Sequence, residues 1–203
     1  KNNTMKILKR IGIFLLALIV ILVVISFFLP AKVHVDRTVV INAQPSVVFM
    51  QVNNLHNWNN WMPWNKLDPN MKIEYHGPEE GTGAGYSWTS DNKQVGKGKI
   101  AITESIPNQT VITSLDFMEN GVASGSFKFE PAEGGTKVTW GMDMDMGMNP
   151  VGKYFGLFMD QMLGGDFEKG LTDLKKVSES YTPPVVPEIN PMPEDSTAGT
   201  RPS

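Results

Sequence analysis

The 203-residue sequence contains no cysteine, which excludes disulfides, thiolate metal sites and a cysteine nucleophile. Histidine is scarce: His34, His56 and His76 show no ligand spacing and fall in no catalytic motif, so neither a metal centre nor an imidazole base is indicated. Charge is thin as well. Charged residues make up 19% of the chain, the formal net charge is -3, and no dense Lys/Arg block follows the N-terminal segment, which argues against nucleic acid as a partner. The run Gly81-Thr82-Gly83-Ala84-Gly85 lacks the Lys-Ser/Thr of a phosphate loop and leads into a strand pattern, so it reads as a turn. No serine, Ser46 and Ser87 included, lies in a G-x-S-x-G context. Glu104 and Asp116 fall in strand patterns with no base beside them, and no matched carboxylate pair of the glycosidase kind stands out. Asp143 and Asp145 offer two carboxylates where a hard divalent ion wants about six oxygens. No catalytic residue, metal ligand or cofactor site is therefore assigned.

What the sequence does have begins with an uncharged apolar run from Ile11 to Leu29, about the length needed to cross a hydrocarbon core of roughly 30 Å. Lys6, Lys9 and Arg10 precede it and fewer positive charges follow it closely. The expected topology is a cytoplasmic segment over residues 1–10, a transmembrane helix over 11–29, and an exported remainder, periplasmic or extracellular. A cleaved signal peptide is the alternative. Against it, the run is longer than the usual core of ~7 to 15 residues, and Leu29-Pro30-Ala31 is a poor small-x-small cleavage site. At the other end, residues 182–203 are proline-rich and too poor in apolar residues to bury a core, so disorder is expected there.

Between these ends the composition is that of one soluble domain, 30–181. The β-branched residues of VHVDRTVVINA form a first strand; Pro45 suits the first turn of a short helix carrying Val48, Phe49 and Val52. A second helix or turn holds Trp58, Trp61 and Trp64, whose spacing brings them together if the segment is helical. Six more strand patterns follow, separated by turn signals such as Gly77-Pro78, Asp91-Asn92 and Pro107-Asn108, and short connections imply an antiparallel meander. The last strand pattern is TKVTWGMDMDMGM. Its period of two sets Val138, Trp140, Met142, Met144, Met146 and Met148 on one face and Lys137, Thr139, Asp143 and Asp145 on the other. Pro150 to about Glu179 reads as one long helix. Val151, Tyr154, Phe155, Phe158, Met162, Leu163, Phe167, Leu171 and Leu174 form its apolar stripe, and Gly164-Gly165 marks a kink or a close backbone approach.

In order and turn pattern the chain resembles the helix-grip fold of the START-like (SRPBCC) superfamily, most closely the polyketide cyclase/dehydrase and lipid-transport family. The carrying residues are INAQPSVVFMQVNNLHNWNNWMPW, VGKGKIAITESIPNQTVITSLDF, FEPAEGGTKVTW and DFEKGLTDLKK, within about Val33 to Glu179. The resemblance implies an α+β domain in which an antiparallel sheet curves around a long C-terminal helix and leaves an apolar cavity between them. Candidate pocket-lining residues under that implication are Trp61, Trp64, Trp88, Phe117, Trp140, Met142, Met144, Met146, Phe155, Phe158 and Met162. Plain core packing is the competing reading of the same residues, because burial of each is worth about 1.5 to 3 kcal/mol either way. Three functions are then open. One is a membrane-anchored binding module for a lipid-like or polycyclic apolar small molecule, held at the membrane through residues 11–29. A second is a cyclase- or dehydratase-like enzyme using the same cavity, for which Glu104, Asp116, His56 or His76 would have to point inward. The third is a structural or regulatory exported domain with no small ligand, whose protein partner the sequence does not name.

Overall fold

A computed structural model describes residues 2–118 and 121–182. The chain opens with helix α1 (Asn2–Ser26), whose stretch Met5–Ser26 is long and apolar enough to cross a membrane. The helix starts earlier and stops earlier than the 11–29 run expected from hydropathy alone. It closes in three-residue turns, Phe27 N–H to the Val24 carbonyl and Phe28 N–H to that of Ile25, because Pro30 disfavours helix in the residue before it.

Strand β1 (Lys32–Ile41) leads through Pro45 into α2 (Pro45–Asn53), a 3-10 turn (Leu55–Asn57) and two short helices, α3 (Trp58–Trp61) and α4 (Pro63–Leu67). Pro63 closes one and opens the other, since proline fits the first helical turn but not its interior. Then come β2 (Lys72–His76), β3 (Gly85–Thr89), β4 (Lys97–Ile106), β5 (Thr110–Asp116), β6 (Val122–Ala132) and β7 (Gly135–Asp145). The seven strands form one antiparallel sheet in the order β1-β7-β6-β5-β4-β3-β2. A register shift between Ile102 and Glu104 bends β4 and helps the sheet curl.

Two helices, not one, follow the sheet: α5 (Pro150–Gly156) and α6 (Met159–Glu179). The interruption lies at Leu157 and Phe158, whose amides turn back to the Tyr154 and Phe155 carbonyls. Gly164 and Gly165 run through α6 without a break. Gly164 serves instead for a close approach: a Cβ there would collide with the guanidinium of Arg37, which reaches across from β1. Arg37 donates from Nη1 to Asp160 Oδ1 (2.8 Å) and to the Asp36 carbonyl (2.7 Å), and from Nε to Glu168 Oε1 (2.9 Å), so the edge strand is clipped to α6 on the side facing the core.

One core joins these layers. Val35, Ile41, Val48, Val52, Ile102, Val111, Phe127, Val138, Phe167, Leu171 and Leu174 are all buried. Met148 does not continue the methionine face of β7. The strand stops at Asp145, Gly147 takes a positive φ of 58°, and Met148 is left 72% exposed. The inward stripe of the last helix is Met159, Leu163, Phe167, Leu171 and Leu174; Val151, Phe158 and Met162 from the expected stripe stand exposed.

The Arg37 clip makes a sign prediction. Alanine exceeds glycine in helix stability by about 1 kcal/mol, so Gly164→Ala gains close to that amount in an Arg37→Ala background. With Arg37 present the added methyl displaces the guanidinium and the gain shrinks or reverses. Denaturant unfolding of the four variants of this double-mutant cycle measures the difference.

Candidate functional site

Alternation along β7 turns Trp140, Met142 and Met144 toward α6, and Met146 continues that side past the strand's end. Their neighbours Asp143 and Asp145 lie exposed on the other face, where Asp143 Oδ1 sits 2.7 Å from His34 Nδ1. The same alternation brings in Tyr86 and Trp88 of β3 and Thr113, Leu115 and, just past the strand's end, Phe117 from β5. Trp88 can lie flat across β4 because Gly98 is beside it; a Cβ at Gly98 would come within 2.5 Å of the indole ring. The Trp88 Nε1–H donates to the Val95 carbonyl (3.2 Å) and so ties the ring to the β3–β4 loop. From the helical side come Trp58, Met62, Trp64 and Asn65, then Phe155 of α5 and Met159 and Leu163 of α6.

These groups enclose a cavity of about 400 Å³, within the range of roughly 300 to 1,000 Å³ typical of small-molecule sites. Its floor is aromatic. Trp140 stacks on Phe167 (centroids 4.1 Å, planes 2° apart) and on Phe127 (5.3 Å, 19°), while Trp61 and Trp64 meet it edge-on at 5.8 and 5.9 Å. Beyond that floor the sheet and α6 pack solidly on Val138, Ile41 and Leu174. The register sets the cavity at one end of the sheet: Met144 pairs with Val33 and Ala123, Asp116 pairs with Val122 and Lys99, and Lys97 pairs with Thr89.

Of the residues picked out from sequence, Trp64, Trp88, Phe117, Trp140, Met142, Met144, Met146 and Phe155 line this space. Trp61 does not; it is fully buried behind the floor, its Nε1–H donating to the Gln51 carbonyl (3.1 Å). Phe158 and Met162 do not line it either, being 55% and 52% exposed. Each precedes an inward residue of α6 by one position, and one position is about 100° of helix rotation. Tyr86, Leu115, Met159 and Thr113 were missed. Tyr86 was legible in principle, since it shares a strand with Trp88 at spacing two; Met159 follows a helix break whose sequence signal is Gly156, the last residue of α5.

The titratable groups on the lining are Tyr86, Lys93 and Lys97. Burial, with a smaller contribution from Tyr75, pushes the Tyr86 phenol above its ordinary range, so it is a neutral hydrogen-bonding group at neutral pH. Glu104 is exposed and Asp116 is engaged by the Met118 amide (2.8 Å); neither lines the cavity. His56 and His76 border a separate cleft of about 220 Å³ outside β2, with His56 stacked on Tyr75 at 3.7 Å. An acid–base role for any of these four in the apolar cavity has no geometric support. Among the described residues no group of three or more His, Asp or Glu side chains is arranged to hold a metal ion.

A model of the family described as polyketide cyclase/dehydrase and lipid transport matches residues 32–179. No match was found among curated protein sequences. Solved structures share the fold at low identity. A protein of unknown function from Staphylococcus aureus is 15% identical, with a TM-score of 0.55 over 73% of this chain and 94% of its own. StfQ, a di-domain ARO/CYC protein of the steffimycin biosynthetic pathway, is 10% identical with a TM-score of 0.56 over 73% of this chain and 51% of that protein. Ara h 8.0201 is 17% identical with a TM-score of 0.52 over 74% of this chain and 99% of its own.

The cavity wall formed by α4 depends on an ion pair. Lys66 Nζ donates to Asp173 Oδ2 (2.8 Å), fastening α4 to α6, and that hydrogen bond, with a further one from Lys176, holds the Asp173 carboxyl below its ordinary range. A carboxyl whose folded pKa is depressed adds stability above its unfolded pKa of about 4 and loses it as pH falls through the lower folded value. Asp173→Asn therefore flattens the acid limb of the stability curve below about pH 4, read by thermal unfolding between pH 2 and 7, and leaves the neutral-to-alkaline limb parallel to wild type.

Proposed function

The chain belongs to the polyketide cyclase/dehydrase and lipid-transport family, and we propose that it is a membrane-anchored binding module for a lipid-like or polycyclic apolar molecule. The cavity carries this reading: about 400 Å³ walled by Met142, Met144, Met146 and aromatic rings. Unbranched, polarizable methionines adapt to apolar partners of varied outline, and Trp88 and Trp64 add flat faces for rings or chains. Tyr86 and Thr113 offer hydroxyls that can orient one polar end of a ligand. In this reading α1 spans the membrane, Lys6, Lys9 and Arg10 keep its start in the cytoplasm, and the domain over 32–179 is exported.

Reconstituted full-length protein exposed to a diazirine-bearing acyl lipid should form crosslinks in the peptides holding Met142, Met144 and Leu163. Met144→Trp fills the space and lowers those crosslinks by ~10-fold, equivalent to about 1.4 kcal/mol of binding, while crosslinks on α1 stay level. Crosslinks confined to α1 in both proteins would remove the ligand reading. The cysteine-free background also allows a topology test. A membrane-impermeant maleimide applied to intact cells is expected to label Glu104→Cys, on the exposed far end of β4, and to spare Met5→Cys.

A further inference from the structure

Three apolar side chains stand open at one end of the sheet: Val122 is 67% exposed, Met148 72% and Val151 75%. They share the end at which the cavity lies. Val122 opens β6 opposite Asp116, Met148 follows the end of β7, and α5 packs there, its Gly156 so close to Val33 that a Cβ would come within 2.8 Å of it.

The anchor helix arrives at this same end. Lys153 of α5, itself buried, donates to the Ser26 carbonyl (3.1 Å) at the C-terminus of α1, where the helix dipole favours a cation. The Tyr154 hydroxyl donates to the Leu22 carbonyl (2.8 Å), one turn further in. Helix α5 is thus moored beside the last turn of α1 and does not hang below it. The uncharged part of α1, Ile11 to Ser26, holds 16 residues; at 1.5 Å each it measures about 24 Å against a hydrocarbon core of about 30 Å. All of it is needed to cross, so its last turn lies at the boundary of the bilayer and α5 lies there with it.

We propose that the rim formed by Val122, Met148 and α5 sits in the lipid surface at the exit point of the anchor, so that the cavity opens onto the bilayer. Phe155 lines the cavity and is half exposed on the same helix, which makes α5 the wall shared by the ligand space and the lipid. A ligand would then pass from the leaflet to the cavity without crossing water. The proposal rests on the reading of α1 as a membrane-spanning helix.

The test uses full-length protein in vesicles of phosphatidylcholine with or without brominated acyl chains, with an environment-sensitive nitrobenzoxadiazole probe on single cysteines. Val122→Cys, Met148→Cys and Val151→Cys are rim positions outside the cavity lining. Leu16→Cys reports the anchor, and Glu104→Cys the far end of the sheet. The rim probes are expected to shift to the blue and lose most of their emission to the brominated lipid, as Leu16→Cys does, while Glu104→Cys is unchanged. Quenching at Leu16→Cys with rim probes no different from Glu104→Cys overturns the docking proposal and leaves the anchor standing. No quenching at Leu16→Cys overturns the anchor, and the docking with it. Rim probes that are blue-shifted yet unquenched are covered by protein, a second copy included, and this too overturns the proposal.

Discussion

Trp140 is the residue on which sheet, helix and cavity meet. Its indole lies between Phe127 of the neighbouring strand and Phe167 of α6, with Trp61 and Trp64 closing from the side. Offset and edge-on aromatic contacts of this kind add about 0.5 to 1.5 kcal/mol each beyond the area they bury. The geometry requires α6 to come very close, and Gly170 permits it: a Cβ there would be 2.7 Å from the Trp140 ring and 3.1 Å from Pro63. A glycine inside a helix costs up to about 1 kcal/mol. Here that cost offsets what a bulkier residue would lose by pushing the helix off the sheet.

That contact divides the interior in two. On one side of it side chains from β1, β5, β6, β7, α2 and α6 fill the space, as in any close-packed core. On the other side α6 gives way at Leu157 and Phe158 to the short α5, which crosses toward the start of β1 and the end of α1. Among the described residues no bulky group follows the sheet into the gap, so Met142, Met144 and Met146 face open space where Val138 meets protein. Cavity and core are thus consequences of where the long helix stops. In the proposed function this gap is the ligand site, and the proposed docking of α5 would bring it to the membrane.

The mooring of α1 gives the fold a direction. Lys153 and Tyr154 turn their polar groups to main-chain carbonyls of the last turn of α1, while Val151 of α5 stands exposed and Phe155 half exposed. The match to the polyketide cyclase/dehydrase and lipid-transport family covers residues 32–179 and does not extend over α1. The junction therefore joins the matched domain to a segment outside the match. Of residues 182–203, expected to be disordered, all but Thr182 lie outside the described residues.

The sequence by itself determined the seven strands, the antiparallel meander from β2 to β7 and the face taken by each residue of β7, because a period of two and short turns leave few alternatives. It also determined that α1 is long and apolar, and that no thiol chemistry is possible. Tertiary structure decided the pairing of β1 with β7 and which apolar residues see a cavity. Trp61 and Trp64 are alike in type and three positions apart, yet one is sealed behind the floor and the other lines the opening, since α3 and α4 meet α6 at different depths. Phe158 and Met162 carry the apolar signal of their neighbours and still face outward, because the rotation of α6 is set by Trp140 and Arg37 across the sheet. Periodicity states which residues share a face; which face meets protein and which meets open space depends on contacts between elements far apart in the chain.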